Sequence, residues 1–118
     1  MKILLIEDEL LISKSISILI KKKGHHITVT GNGVTALELL KNTKFDLIIT
    51  DLMLNDISGF DIIDECLSKY NYTAENITVI TAYNSNDIIN KIKQYKCKYF
   101  IKPFDNLVKT IDDIINEN

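Results

Sequence analysis

The sequence predicts a doubly wound α/β domain, a parallel sheet of five strands covered on both faces by five helices. Three observations point there. Short apolar runs, Ile3–Ile6, Leu47–Ile49, Ile77–Ile80 and Tyr99–Ile101, lack the apolar-in, polar-out alternation of a one-sided sheet; runs of this kind fit strands covered on both faces. Segments with apolar residues at helical spacing separate them. The chain also has 118 residues, 46% hydrophobic and 25% charged, which suits one folded domain over 1–118 that needs neither disulfide nor metal to hold it.

The first strand is Ile3-Leu4-Leu5-Ile6. A helix carrying Ile12, Ile16 and Leu19 on one face follows. Lys21, Lys22 and Lys23 mark its end, where positive charge suits the helix dipole, and they read as solvated. His25 and His26 fall in the surface turn before a short edge strand, Ile27-Thr28-Val29. Leu37 and Leu40 indicate a weaker second helix ahead of the third strand. Phe60, Ile63, Leu67 and Tyr70 define the third helix, Ile88, Ile92 and Tyr95 the fourth, and Val108, Ile111 and Ile115 the fifth, with the sequence closing at Asn116-Glu117-Asn118. Gly24, Gly31, Gly33 and Gly59 are expected in the turns, and Tyr70, Tyr72 and Tyr95 in peripheral packing. Successive βα units imply right-handed crossovers.

Composition narrows the function. All 14 basic residues are Lys, set against 16 acidic ones for a net charge of −2, and no basic run exceeds three residues. That balance argues against nucleic-acid binding by this segment through phosphates. Cys66 and Cys97 lack metal-ligand spacing and read as free thiols in a reducing compartment. The apolar stretch after Lys2 is too short for a signal peptide, and no run approaches membrane-spanning length. A cytoplasmic location is the expectation, with no membrane partner.

In open α/β sheets ligands bind beyond the carboxyl ends of the strands, where strand order reverses. Glu7, Asp8 and Glu9 follow the first strand, Asp51 ends the third, Thr81 and Ala82 follow the fourth, and Lys102-Pro103 follow the fifth. In the common order 2-1-3-4-5 the first and third strands are neighbours, so Asp8 and Asp51 would share a crevice. Close carboxylates repel, and a hard divalent cation such as Mg²⁺ is the usual remedy. Lys102 and the Thr81 hydroxyl complete a set of groups suited to a tetrahedral anion. Each feature alone has a plainer reading, as a solvated turn, a cap, a strand residue or a loop; all four at successive strand ends do not.

The runs ILLIEDE (3–9), DLIITDLMLNDISGFD (46–61), VITAY (79–83) and YFIKPF (99–104) resemble the receiver domain of two-component response regulators, in the chemotaxis-regulator-like superfamily. The resemblance covers essentially the whole chain. It implies a flavodoxin-like (βα)5 receiver fold with strand order 2-1-3-4-5. It also implies roles: Asp51 as phosphoacceptor, Asp8 as direct Mg²⁺ ligand, Glu7 acting mainly through bound water, and the Met53 carbonyl as the remaining protein ligand. Thr81, Ala82 and Lys102 match the groups that hold the phosphoryl oxygens, Thr81 and Tyr99 the switch pair, and Lys102-Pro103 a cis peptide bond. The partners implied are a sensor histidine kinase or phosphotransfer protein and a downstream effector or output domain, met through the fourth helix, fifth strand and fifth helix; a phosphorylation-dependent homodimer stays open. Such a domain promotes its own phosphorylation and dephosphorylation without being a turnover enzyme.

Three rivals are weaker. Hydrolases of the aspartyl-phosphate type resemble this chain in a nucleophilic Asp after a strand, but carry a general-acid Asp two residues later, where Met53 stands. A phosphorylation-independent module of the same fold usually loses the acceptor, the acidic pair or the Lys. A flavin or dinucleotide binder would need a phosphate-cradling Gly-rich loop, which is missing. Departures from the receiver pattern are Glu7 for the commoner Asp, Asn55 for the usual Pro, no Gly in Gln94–Lys98 after the fourth helix, and a Thr81-to-Lys102 interval one residue short. They leave the end of the fourth helix and the output face as expectations. Whether the chain stands alone or is part of a longer regulator also stays open.

Overall fold

The computed structural model describes residues 1–115, so the closing Asn116–Asn118 lie outside the described residues. The element order is β1 (Lys2–Ile6), α1 (Leu10–Lys22), β2 (His26–Thr30), α2 (Gly33–Asn42), β3 (Leu47–Asp51), α3 (Gly59–Lys69), a 3₁₀ turn (Ala74–Asn76), β4 (Ile77–Thr81), α4 (Asn86–Tyr95), β5 (Lys98–Ile101) and α5 (Leu107–Ile115). The five strands form one sheet in the order β2-β1-β3-β4-β5, with every neighbouring pair parallel. The reversal of order falls between β1 and β3, as the sequence predicts.

Alternation along buried strands splits the core in two. Leu4, Ile6, Ile48, Ile77 and Val79 face α2, α3 and α4, meeting Ala36, Leu40, Ile62, Ile63 and Ile92. Ile3, Leu5, Leu47, Ile49 and Ile80 face α1 and α5, meeting Ile16, Ile20, Ile111 and Ile114. Both faces of β1, β3 and β4 are thus filled, which is why these strands read as continuous apolar runs. The edge strand β2 is more open.

Several local readings need correction. Gly33 and Gly59 do not lie in turns; they open α2 and α3. His26 is the first residue of β2. Tyr72 is buried, because its hydroxyl accepts the Phe45 N–H at 2.9 Å and so can enter the core with its polar end satisfied. On α5, Val108 is exposed and Ile114 takes its place in the core, a shift of helical phase. Lys23 pairs with Asp112 on α5, so it is not simply solvated. The end of α4 is settled by Lys96, which takes φ 63° as a left-handed cap where no Gly is present. The Lys102–Pro103 bond is cis.

Candidate functional site

Strand register assembles the site. Ile6 pairs with Thr50, which brings Glu7 level with Asp51; Asp51 pairs with Ile80, and Thr81 with Ile101. Residues distant in sequence therefore arrive together at the carboxyl edge. The Lys102 N–H donates to the Thr81 carbonyl at 2.7 Å, drawing the chain after β5 back over the sheet edge.

The Lys102 side chain then turns inward. Its Nζ donates to Asp51 Oδ2 at 2.9 Å, to Glu7 Oε1 at 2.8 Å and to Glu9 Oε1 at 3.4 Å. Glu7, Asp51 and Lys102 are all buried, whereas Glu9 is exposed. Burial alone would lower the Lys102 pKa, but its bonds to the Glu7 and Asp51 carboxylates outweigh it, so the ammonium is held well above its ordinary range. Burial pushes the Glu7 carboxyl up from 4.5, with the Asp51 carboxylate adding to the effect and the bonds from Lys102 and the Glu9 N–H opposing it. Two buried carboxylates thus share one ammonium.

Carboxylate oxygens of Glu7, Asp8 and Asp51 lie within 4.8 Å of one another, and Asp8 is more open to solvent than the other two. The donors are all hard oxygens, three acids are set against the single buried ammonium, and the open side at Asp8 leaves room for waters. That combination fits a small divalent cation.

The other expected residues fall as follows. The Met53 N–H donates to Asp51 Oδ1 at 3.2 Å, and Met53 itself is exposed. Thr81 is fully buried, and its hydroxyl oxygen accepts the Tyr83 N–H at 3.0 Å. That acceptance leaves the hydroxyl proton available to donate. Ala82 is exposed at the rim. Tyr99 is half-buried on β5, paired with Val79 and packed on the core face shared with α4. Thr81, two residues beyond Val79, falls on that same face. Sequence reasoning missed Glu9 as a third partner of Lys102, and missed the role of Gly59. A Cβ on Gly59 would lie 2.2 Å from the Asp51 carbonyl oxygen, so only Gly lets α3 start against Asp51.

A family model described as response regulator receiver domain matches residues 3–112. The chain belongs to this family, and its fold is the flavodoxin-like receiver fold. It is 31% identical over 107 residues to the sporulation initiation phosphotransferase F of Bacillus subtilis (strain 168), covering 88% of this chain and 83% of that protein. It is also 31% identical over 118 residues to the probable transcriptional regulator ycf29 of Porphyra purpurea, covering 96% of this chain and 56% of that protein. Among solved structures it resembles the receiver domain of sensor histidine kinase PA1611 from Pseudomonas aeruginosa PAO1, at a TM-score of 0.77 and 21% identity, covering 98% of each chain. That structure has a magnesium ion coordinated in its active site cleft. This chain spans about half the length of several curated relatives it matches, 53% and 52% for two of them.

Proposed function

We propose that residues 1–118 form one receiver domain in which Asp51 takes a phosphoryl group from a histidine kinase or phosphotransfer protein, with Mg²⁺ as the cofactor. The observation that carries this reading is the meeting of Lys102 with Asp51 and Glu7 at 2.9 and 2.8 Å, with Asp8 beside them. The magnesium structure of the PA1611 receiver adds support for the choice of cation.

Asp8, Asp51 and the Met53 carbonyl would hold the cation directly, with Glu7 acting through water. When bound, the ion supplies positive charge beside the phosphoryl oxygens. The rest falls to the chain's own groups. A carboxylate oxygen of Asp51 attacks phosphorus in line, the bond from phosphorus to the donor breaks, and the donor leaves with that electron pair. Lys102 exchanges its contact with Asp51 for one with a phosphoryl oxygen, while the Thr81 hydroxyl and the Ala82 N–H donate to the others. Attack by water on the same phosphorus returns Asp51 and inorganic phosphate.

The switch follows from shared placement. Thr81 moving toward the phosphoryl group vacates space on the face that carries Tyr99, whose ring turns inward and repacks the α4–β5–α5 surface met by an effector. In this reading Thr81→Ala accepts phosphate and fails to change partner affinity; a variant that still switches would refute the route.

The test of the acceptor is direct. Incubation with Mg²⁺ and acetyl phosphate adds one phosphoryl group by intact mass. The addition disappears in Asp51→Ala and when the metal is chelated. Labelling that persists in Asp51→Ala overturns the assignment, and steady phosphate release with turnover favours the hydrolase.

A further inference from the structure

The loop between β3 and α3, residues 52–58, carries Met53 and has no regular structure of its own beyond one bridge between Met53 and Ser58. Its inner end is closed by that bridge and by the Gly59 N–H donating to the Leu52 carbonyl at 2.8 Å. Its outer end is fixed by Asp56. Asp56 Oδ1 accepts the Gly33 N–H at 2.9 Å and Oδ2 accepts the Val34 N–H at 2.8 Å, while Oδ1 also accepts the Ile57 N–H at 2.9 Å.

The first turn of a helix leaves its N–H groups without intrahelical partners. On α2 they are shared between two residues. Asn32, the local cap, accepts the Thr35 N–H at 2.8 Å. Asp56, more than twenty positions downstream, takes Gly33 and Val34. A carboxylate suits the positive end of the helix dipole, and these bonds from Gly33 and Val34 hold the Asp56 carboxyl below its ordinary range. Gly33 lets the loop seat closely, since a Cβ there would lie 2.3 Å from Ile57 Cγ1. Asn55 provides no proline stiffness at the apex, so the tether at Asp56 is what fixes the outer half of the loop.

We infer that Asp56 is a positioning residue for the cation site: by clamping the β3–α3 loop onto α2 it fixes Met53, and through Met53 the site at Asp51. This rests on the proposed reading of Met53 as a main-chain ligand. The Met53 N–H already meets Asp51 Oδ1, so freeing the loop loosens both a ligand and the orientation of a second one. Partners one step removed from a metal typically change its affinity by about 10- to 100-fold.

The experiment separates this role from simple capping of α2. Mg²⁺ affinity is measured by titration calorimetry, and melting temperature by circular dichroism, for the unaltered chain and for Asp56→Ala, Asp56→Asn and Asn32→Ala. Asn32→Ala removes a cap from the same helix without releasing the loop. Asp56→Ala is expected to raise the Kd for Mg²⁺ about 10-fold, Asp56→Asn to fall between because its amide oxygen still accepts, and Asn32→Ala to change it by no more than about twofold. Should Asp56→Ala fail to fold, Asp56→Asn carries the comparison. Wild-type affinity in the Asp56 variants, or equal weakening in Asn32→Ala, overturns the inference while leaving the site intact. Absence of Mg²⁺ binding to the unaltered chain, or binding that survives Asp8→Asn, overturns the cation site and this inference with it.

Discussion

Lys102 shows how one residue sets both charge and geometry. Its ammonium is almost fully buried, yet it bridges carboxylates from the ends of β1 and β3. Removing one partner from a buried ion pair leaves an uncompensated charge and costs about 3 kcal/mol or more. Lys102→Met is therefore expected to lose about 3 kcal/mol in urea denaturation at neutral pH. The sign of its pH dependence follows from Glu7. That carboxyl is already raised above 4.5 in the folded chain, so the folded state binds the proton more readily and gains stability as pH falls toward 4.5. The deficit of Lys102→Met thus shrinks in mildly acidic buffer; a deficit that grows there would contradict the pairing.

At the scale of elements, glycines and their absence decide the joins. Lys96 caps α4 at φ 63°, a conformation that costs a side-chain-bearing residue about 1–2 kcal/mol and glycine little. Lys96→Gly is expected to raise stability by about 1 kcal/mol, read from thermal melts. Gly59→Ala is the opposite case. Its Cβ would meet the main chain of Asp51 and Leu52 at 2.2 and 2.7 Å, so a loss of about 3 kcal/mol is expected, together with weakened phosphorylation. Gly33→Ala meets side chains rather than main chain, Ile57 at 2.3 Å and Asp56 Oδ1 at 3.3 Å, and should cost less. Two joins in this molecule were hidden from sequence for a physical reason. Asp56 and Gly33 are 23 positions apart, and no periodicity links a loop acid to a distant helix start. Lys96 carries no composition signal for a left-handed cap. The strands, by contrast, announce themselves through burial on both faces, and Glu7, Asp8, Asp51 and Lys102 could be read because the fold puts strand ends together.

For the molecule as a whole, the core layer facing α2, α3 and α4 brings a pH consequence. Burial pushes the Cys66 thiol up to about 12 and the Cys97 thiol up to about 11, and Tyr72 and Tyr95 are raised as well. A thiol raised on folding stabilises fully below its unfolded value of 9.0 and loses that contribution as pH climbs toward the folded value. Stability should hold near neutrality and fall above pH 9, by up to about 1.4 kcal/mol per pH unit for each thiol in its window. Cys66→Ala should flatten that decline in a pH series of melts. An unchanged slope would mean the thiol is not shielded as its position implies. Among the described residues no helix is long and apolar enough to cross a membrane.

The seat of α3 directly on the Asp51 backbone makes aspartate and helix a single stiff lever on one flank of the crevice. The opposite flank is different: Ala82 through Ser85, between β4 and α4, and Asn86 and Asp87 in the first turn of α4 lie open to solvent. A disturbance arising at the acid would find no slack toward α3 and ample slack toward α4. On the proposed reading of Asp51 as phosphoacceptor, motion set off there would leave by the yielding side, giving the switch a direction before any partner binds.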